Sequence, residues 1–82
     1  MITKNTTLQD LLDIAIQTLP DVDSGETFIT RDLFRGFEWA RIPVGNRSKL
    51  GAMFFAYCNG EGAQVLESLG KTAQNQQIYR KK

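Results

Sequence analysis

The chain has 82 residues, 41% of them hydrophobic and 23% charged, which suits one globular domain that spans residues 1–82. It carries no histidine, a single cysteine (Cys58), no glycine-rich phosphate loop and no apolar run of about 20 residues, and its formal net charge is only +1. Because histidine is the commonest general base and zinc ligand, and one cysteine cannot close a disulfide, we expect a cytoplasmic, non-enzymatic protein without cofactor, metal or membrane-spanning segment.

An amphipathic helix is the first predicted element. Thr7 can cap its N-terminus, and Pro20 ends it. The extended segment 26–29 follows a turn-rich loop and is too short to be more than an edge strand. The apolar face of the helix has the spacing i, i+3, i+4, i+7 and comprises Leu8, Leu11, Leu12, Ala15, Ile16 and Leu19.

A second, shorter helix is predicted over residues 31–35, with Thr30 as its N-cap and Gly36 as its C-terminal stop. The linker that follows contains Trp39 and ends at Pro43. A tryptophan in so small a domain is expected to anchor the core rather than to stand exposed.

A third helix is predicted from about Gly45–Asn46 to about Asn59–Gly60. Its apolar face comprises Leu50, Met53, Phe54, Tyr57 and Cys58. Its opposite face comprises Ser48, Lys49, Ala52 and Ala56. The cysteine is therefore expected to be a buried free thiol. The small residues of the outer face would let the helix backbone approach a DNA groove or another protein. Phe55 lies at the margin of the apolar face and could close the core against the hairpin or form part of a partner surface.

Two short strands are predicted over residues 65–69 and 77–80, joined by the polar segment 70–76. A two-stranded hairpin is not stable alone, so we expect it to pack against the helices or against the strand near Phe28. The order helix, strand, helix, helix, hairpin predicts an α+β fold, namely a winged helix in which the C-terminal hairpin is the wing.

Short sequence segments that are typical of one protein family are spread through residues 28–80. They comprise Phe28, Arg31-Asp32-Leu33-Phe34, Trp39, Arg41-Ile42-Pro43, Gly45, Arg47, Leu50-Gly51, Phe54-Phe55, Leu69-Gly70-Lys71-Thr72, Asn75-Gln76-Gln77 and Tyr79. With these residues the chain resembles a family of short, functionally uncharacterised proteins from Gram-positive bacteria, their plasmids and phages, within the winged helix-turn-helix superfamily. The resemblance implies a winged-helix fold and, by analogy, a DNA-binding regulator or accessory factor of a mobile element.

The winged-helix interpretation predicts where DNA would bind. The helix after the turn normally enters the major groove, and the wing contacts the flanking backbone. Here the predicted turn is Pro43-Val44-Gly45-Asn46, and free N–H groups at the start of the third helix suit phosphate. Amide, hydroxyl and cationic side chains can bond phosphate oxygens or base edges. The predicted DNA-binding residues are Asn46, Arg47, Ser48, Lys49, Lys71, Thr72, Gln74, Asn75, Gln76, Arg80 and Lys81.

The sequence leaves alternatives open at several of these residues. Arg47 could lie back over the edge of the core and pair with an acid, the wing tip could be a solvated loop, and the basic end at residues 80–82 could be a solubilising tail.

Charge distribution favours DNA as the partner. Residues 1–30 carry a net charge of −4 and residues 31–82 one of +5, which indicates a basic working surface and an acidic remainder. Small domains can also divide unevenly by chance, and a net charge of +1 is low for a dedicated DNA-binding protein. Double-stranded DNA is the partner that the winged-helix interpretation predicts. The alternative is a winged-helix adaptor or inhibitor that binds a host protein through the small residues of the third helix and Phe55. A homodimer would suit paired half-sites, although the sequence identifies no dimer seam.

Overall fold

The computed structural model describes residues 2–82. The helices are α1 (Leu8–Thr18), α2 (Gly36–Arg41) and α3 (Val44–Asn59), and the strands are β1 (Thr27–Ile29), β2 (Leu66–Lys71) and β3 (Gln77–Lys81). Short 3-10 turns at Leu19–Asp21, Thr30–Leu33 and Glu61–Gln64 connect these elements. The order helix, strand, helix, helix, hairpin agrees with the predicted order.

Helix α1 and strand β1 lie where the sequence predicts them. The Thr7 hydroxyl accepts a hydrogen bond from the Asp10 amide at 3.2 Å and so caps the first turn of α1. The helix ends at Thr18, and Pro20 lies in the 3-10 turn that follows. Strand β1 forms one edge of the sheet, which confirms the predicted edge strand.

The prediction of a helix over residues 31–35 is wrong, because the chain forms only one 3-10 turn, Thr30–Leu33, in this part of the described structure. The Asp32 carboxylate accepts a hydrogen bond from the Ile29 amide at 3.0 Å. This local contact gives the amide at the start of the turn a partner without a longer helix. Ile29, rather than the predicted Thr30, is therefore the N-cap.

The segment after this turn is helix α2 instead of the predicted linker. The backbone becomes extended at Phe34, whose side chain packs against both clusters of the core, and this packing separates the turn from α2. Gly36 then begins a helix rather than ending one, so Trp39 lies on α2. The six residues of α2 are too few to show a helical apolar period, which is why the sequence pattern did not predict it.

Helix α3 agrees with the predicted third helix to within two residues at each end. Leu50, Phe54 and Cys58 are buried on its inner face. The four residues predicted for its outer face are all exposed. The predicted burial of the cysteine is therefore confirmed.

The turn before α3 is shorter than predicted. The Pro43 carbonyl accepts hydrogen bonds from the amides of Asn46 and Arg47, at 2.9 and 3.0 Å, so Val44 already belongs to the first turn of α3. Only Ile42 and Pro43 separate α2 from α3. These two residues form the tight corner between the helices.

The sheet is antiparallel with the strand order β1-β3-β2. Tyr79 of β3 lies opposite Phe28 of β1 on one side and opposite Ser68 of β2 on the other. The pairing of β1 with β3 confirms that the hairpin packs against the strand near Phe28. With helices α2 and α3 as the helix-turn-helix and β2–β3 as the wing, the architecture is an α+β winged helix.

The core consists of two clusters that share Leu12 and Phe34 as half-buried neighbours. The main cluster comprises Ala15, Leu19, Phe28, Leu33, Phe54, Cys58, Leu66 and Tyr79. The second comprises Ile2, Leu11, Ile42 and Leu50. Trp39 is half-buried and packs against the second cluster, so it is a marginal core residue rather than the central anchor that was expected. Over residues 2–82, no helix combines the length and the hydropathy that crossing a membrane requires.

Tyr79 is expected to make the stability of the domain fall at high pH. Burial raises the pKa of Tyr79 to about 12, and the neighbouring Cys58 adds to this rise. In the unfolded chain the phenol ionises near pH 10, so the stabilisation is complete below about pH 10 and is lost as the pH rises to about 12. The difference of about two units between the pKa values of the folded and unfolded states corresponds to a loss of about 2–3 kcal/mol in the free energy of unfolding.

Urea unfolding at several pH values between about 9 and 12 would measure this loss, with Tyr79→Phe as the comparison. Other groups also titrate over that interval, so the variant should lose about 2–3 kcal/mol less than wild type rather than nothing. Equally steep losses in both proteins would contradict the assignment to Tyr79.

Candidate nucleic-acid interface

The wing tip is a tight turn that Thr72 closes. The Thr72 amide donates to the Gln76 carbonyl at 2.8 Å, and the Thr72 hydroxyl accepts from the amides of Gln74 and Gln76, both at 3.2 Å. Asn75 adopts the left-handed conformation (φ 65°) that a three-residue hairpin loop requires and that asparagine tolerates better than most residues. The side chains of Gln74 and Asn75 are thereby left exposed at the tip.

A β-bulge lies in β2 just before the tip. The register shifts between Ser68 and Gly70, so Leu69 is the extra residue, and Gly70 has a φ of 106° that favours glycine. The Gln77 side-chain amide donates to Ser68 Oγ at 2.5 Å and to the Gly70 carbonyl at 2.7 Å. The bulge lengthens β2 to Lys71, beyond its predicted end, and bends the wing.

A groove of about 880 Å³ lies between α3 and the wing, and it is named the wing groove after this position. Its residues come from the 3-10 turn after β1, from α2, from α3 and from the wing. They are Ile29, Thr30, Arg31, Trp39, Val44, Arg47, Ser48, Gly51, Ala52, Phe55, Lys71, Gln74, Asn75, Gln76 and Gln77. The groove is therefore assembled from segments that are up to 48 positions apart in the sequence.

The wing groove is positively charged. Arg31, Arg47 and Lys71 line it, and none of its lining residues within 2–82 is acidic. A second, shallower groove of about 480 Å³ lies between α1 and α3, and its charged residues are Asp13 and Glu61. The two grooves on different sides of α3 therefore differ in charge, although Glu61 belongs to the part of the sequence that carries the net positive charge. A cationic groove with uncharged walls attracts phosphate groups.

Apart from Arg47, the wall that α3 contributes to the wing groove is uncharged. Ser48, Gly51 and Ala52 leave the helix backbone accessible. Val44 and Phe55 are 72% and 40% exposed, which is unusual for side chains of their size. Phe55, which lay at the margin of the predicted apolar face, therefore belongs to the groove rather than to the core.

The wing groove brings together part of the predicted DNA-binding set. The members that line it are Arg47, Ser48, Lys71, Gln74, Asn75 and Gln76. The members that do not line it are Asn46, Lys49, Thr72, Arg80 and Lys81. Asn46 and Lys49 lie on other sides of α3, and the Thr72 hydroxyl is engaged in the wing turn.

Arg47 lies back over α2 at the edge of the groove. Its Nη2 donates to the Ala40 carbonyl at 3.3 Å, and its guanidinium carbon lies 5.7 Å from the centroid of the Trp39 ring. This placement matches the alternative in which Arg47 covers the edge of the core. Its partners are a carbonyl and an aromatic ring, whereas an acid was expected.

The basic C-terminal end is engaged in internal contacts. Arg80 forms an ion pair with Glu67 on the neighbouring strand. The Lys81 ammonium donates to the carbonyls of Leu19 and Val22 at 2.8 and 3.0 Å, and that of Lys82 donates to the carbonyl of Ala63 at 2.7 Å. The two lysines thus supply hydrogen-bond donors to backbone carbonyls in and beside the 3-10 turns. These contacts hold the C-terminal residues against the turns that follow α1 and α3.

Lys81→Met is expected to lower the free energy of unfolding by about 1.5–3 kcal/mol, because two carbonyls lose a charged hydrogen-bond donor. Affinity for DNA at about 50 mM salt should change by less than about twofold, since Lys81 does not line the wing groove. Urea unfolding and fluorescence anisotropy would measure the two quantities. Unchanged stability together with weakened DNA binding would instead support the sequence-based assignment.

Several residues of the wing groove are not among the predicted DNA-binding residues, notably Arg31, Trp39, Val44 and Gln77. Arg31 was assigned to a helix that does not form, and Trp39 to the interior. Arg31 and Trp39 both belong to the short segments on which the family resemblance depends. Membership of those segments was therefore a sequence signal that could have marked them as groove residues.

Cys58 and the acidic side chains of residues 2–82 supply neither a reactive thiol nor a cluster that could bind a metal ion. Burial raises the pKa of the Cys58 thiol, although the charge of Lys82 opposes the shift. A buried thiol of raised pKa is a poor nucleophile. Among residues 2–82, no group of three or more histidine, cysteine, aspartate or glutamate side chains could hold a metal ion.

Comparisons with known proteins agree with this fold. The chain is similar to a solved protein described as "SCCmec type IV LP1413 - nucleic acids binding protein", with 15% sequence identity and a TM-score of 0.71. The alignment covers 99% of this chain and 93% of that chain. At such low identity the likeness shows the fold alone. No curated protein matches the sequence.

The family comparison covers most of the sequence. A family model described as "Domain of unknown function (DUF1413)" matches residues 13–81. The match includes the helices α2 and α3, the whole sheet and every residue that lines the wing groove. The chain therefore belongs to the DUF1413 family.

Proposed function

We propose that this protein binds nucleic acid in the wing groove and that its main ligand is double-stranded DNA. One observation carries the proposal: Arg31, Arg47 and Lys71 converge on a groove whose other lining residues within 2–82 are uncharged. The likeness in fold to LP1413, which is described as a nucleic acids binding protein, supports the same class of ligand.

The outer face of α3 would enter the major groove of the duplex. That groove is about 12 Å wide and admits a helix. Ser48, Gly51 and Ala52 would allow a close approach of the α3 backbone. The exposed amides of Gln74 and Asn75 would reach the flanking backbone or a base edge, as wings of this fold do.

The role proposed for a protein that binds DNA in this way is that of a small regulator or accessory factor of a mobile element.

Three groove cations allow only a few phosphate contacts, so a single copy would bind DNA modestly. Two copies on neighbouring half-sites would raise both affinity and specificity. Analytical ultracentrifugation with and without a selected DNA site would measure this stoichiometry.

Fluorescence anisotropy with a labelled mixed-sequence duplex at about 50 and 200 mM salt tests the proposal. If all three groove cations contact phosphates, the plot of log affinity against log salt should have a slope of about −2.7. Arg47→Ala/Lys71→Ala should reduce that slope to about −0.9.

Two further measurements complete this test. Circular dichroism would verify that the double variant is folded. The same oligonucleotide in single-stranded form would separate duplex binding from general nucleic-acid binding. No binding of either form at about 50 mM salt would overturn the proposal, and preference for the single strand would overturn only the duplex assignment.

A protein-binding module is the second candidate, because Val44 and Phe55 are exposed apolar side chains on the same surface. An apolar interface would depend weakly on salt, whereas phosphate contacts depend on it steeply. Without DNA binding at low salt, a pull-down that wild-type protein supports and Phe55→Asp abolishes would favour this second function.

A further inference from the structure

Arg47 is held at the edge of the wing groove by two contacts with α2. Its guanidinium lies over the ring of Trp39, 5.7 Å from the ring centroid, and its Nη2 donates to the Ala40 carbonyl at 3.3 Å. Both Arg47 and Trp39 line the groove. The arginine is therefore fixed in one place by an aromatic face and a backbone carbonyl, rather than extended into solvent.

The two contacts leave most hydrogen-bond donors of Arg47 free. A guanidinium carries five N–H groups, all in the plane of the group. The attraction between the cation and the face of the Trp39 ring is electrostatic and requires no hydrogen bond from these donors. The Arg47 Nε is buried and has no hydrogen-bond partner among residues 2–82. Because Nε is enclosed by the protein, a ligand in the groove would meet the remaining N–H groups of the two terminal nitrogens.

We propose that Trp39 is a positioning residue, which holds the planar donor group of Arg47 toward the wing groove to receive one backbone phosphate of the nucleic acid. The inference rests on the proposed function. Arginine matches the oxygens of a phosphate with two parallel N–H donors, and stacking in advance reduces the conformational freedom lost on binding. Trp39 itself need not touch the ligand for this role.

The chain offers a matched control for the removal of such a stack. Arg41 lies over the ring of Phe37 at 5.1 Å and donates to the Ile2 carbonyl at 2.9 Å, but neither Arg41 nor Phe37 lines the wing groove. Both contacts involve α2, but Phe37 is exposed whereas Trp39 also packs against the second cluster, so urea unfolding of both variants must accompany the binding comparison. Only the loss of the Trp39 stack should affect nucleic-acid binding.

The test compares binding of the duplex used above by wild type, Trp39→Leu, Trp39→Phe and Phe37→Leu. We expect Trp39→Leu to weaken binding by about fivefold to tenfold and to reduce the salt slope by about 0.9, which corresponds to one lost phosphate contact. Trp39→Phe retains an aromatic face and should bind within about twofold of wild type. Phe37→Leu should leave both affinity and slope unchanged.

A double-mutant cycle with Arg47→Ala separates positioning from a merely structural effect. In the Arg47→Ala background, Trp39→Leu should have no further effect on affinity. Arg47→Lys keeps the charge but loses the paired donors, so it should weaken binding about as much as Trp39→Leu. This variant leaves the core intact and keeps the inference testable if Trp39→Leu does not fold.

The outcomes distinguish this inference from the function on which it rests. Failure of wild type to bind nucleic acid overturns the proposed function and this assignment together. Wild-type binding that Trp39→Leu and Arg47→Lys leave unchanged overturns the assignment alone. A loss of affinity in Trp39→Leu that persists in the Arg47→Ala background also overturns it, because Trp39 would then act independently of Arg47.

Discussion

Phe54→Ala is expected to destabilise the domain by about 3–5 kcal/mol, the largest effect of any single substitution considered. Phe54 is completely buried, and its ring contacts the rings of Phe28 and Tyr79, with centroids 6.5 and 5.0 Å away. The truncation would leave a cavity where α3 meets the sheet. A domain of this size has little stability to spare, so much of the variant should be unfolded at physiological temperature.

Phe55→Ala is the matched control, since it removes the same side chain from the next position of α3. Phe55 is 40% exposed and lines the wing groove, so its loss should change the free energy of unfolding by less than about 1 kcal/mol. Urea unfolding followed by circular dichroism would measure both variants. Equal destabilisation by the two substitutions would mean that α3 is rotated relative to the orientation described.

The two long helices could be predicted from the sequence because their apolar positions repeat over several turns. Helix α1 has 11 residues and α3 has 16, and the buried side chains fall on the predicted faces. Helix α2 has six residues, of which Phe37 is exposed and none is buried. Because its side chains cover the second cluster only partly, no apolar stripe marks it as a helix.

The wing could be predicted in outline, but its shape could not. Alternating apolar residues and a polar connection predicted the two strands and the loop. The bulge at Leu69 depends on Gly70 and on the side chain of Gln77, which bonds across the hairpin. A contact of this kind depends on strand register, and a single sequence does not specify the register.

The candidate site was only partly predictable for a similar reason. Adjacent residues on a strand point to opposite faces, so Arg80 and Lys81 have different environments although both looked like members of one basic tail. Lys81 reaches the end of α1, which lies 59 to 62 positions earlier in the chain. Conversely, Arg31 and Lys71 approach the same groove from elements that are 40 residues apart. Whether such residues belong to one binding surface therefore depends on the tertiary structure.

Charge reversal at two sides of the wing groove is expected to abolish DNA binding. Arg31→Glu/Lys71→Glu would leave Arg47 as the one cation among the groove residues described and would add two acids beside it. The formal net charge would fall from +1 to −3. Phosphates would then meet repulsion where attraction is proposed, and affinity at about 50 mM salt should fall by about 100-fold or more. Both side chains are exposed, so folding should be unaffected.

The control for this reversal has the same net charge in a different arrangement. Lys4→Glu/Arg35→Glu also changes the formal charge to −3, but neither residue lines the wing groove. If the local field of the groove guides binding, this variant should lose less than about tenfold in affinity, because its new acids do not line the groove. If both variants lose affinity equally, net charge rather than the groove controls binding. Because the two proteins differ only in where the acids lie, the comparison locates the binding surface without knowledge of the DNA sequence recognised.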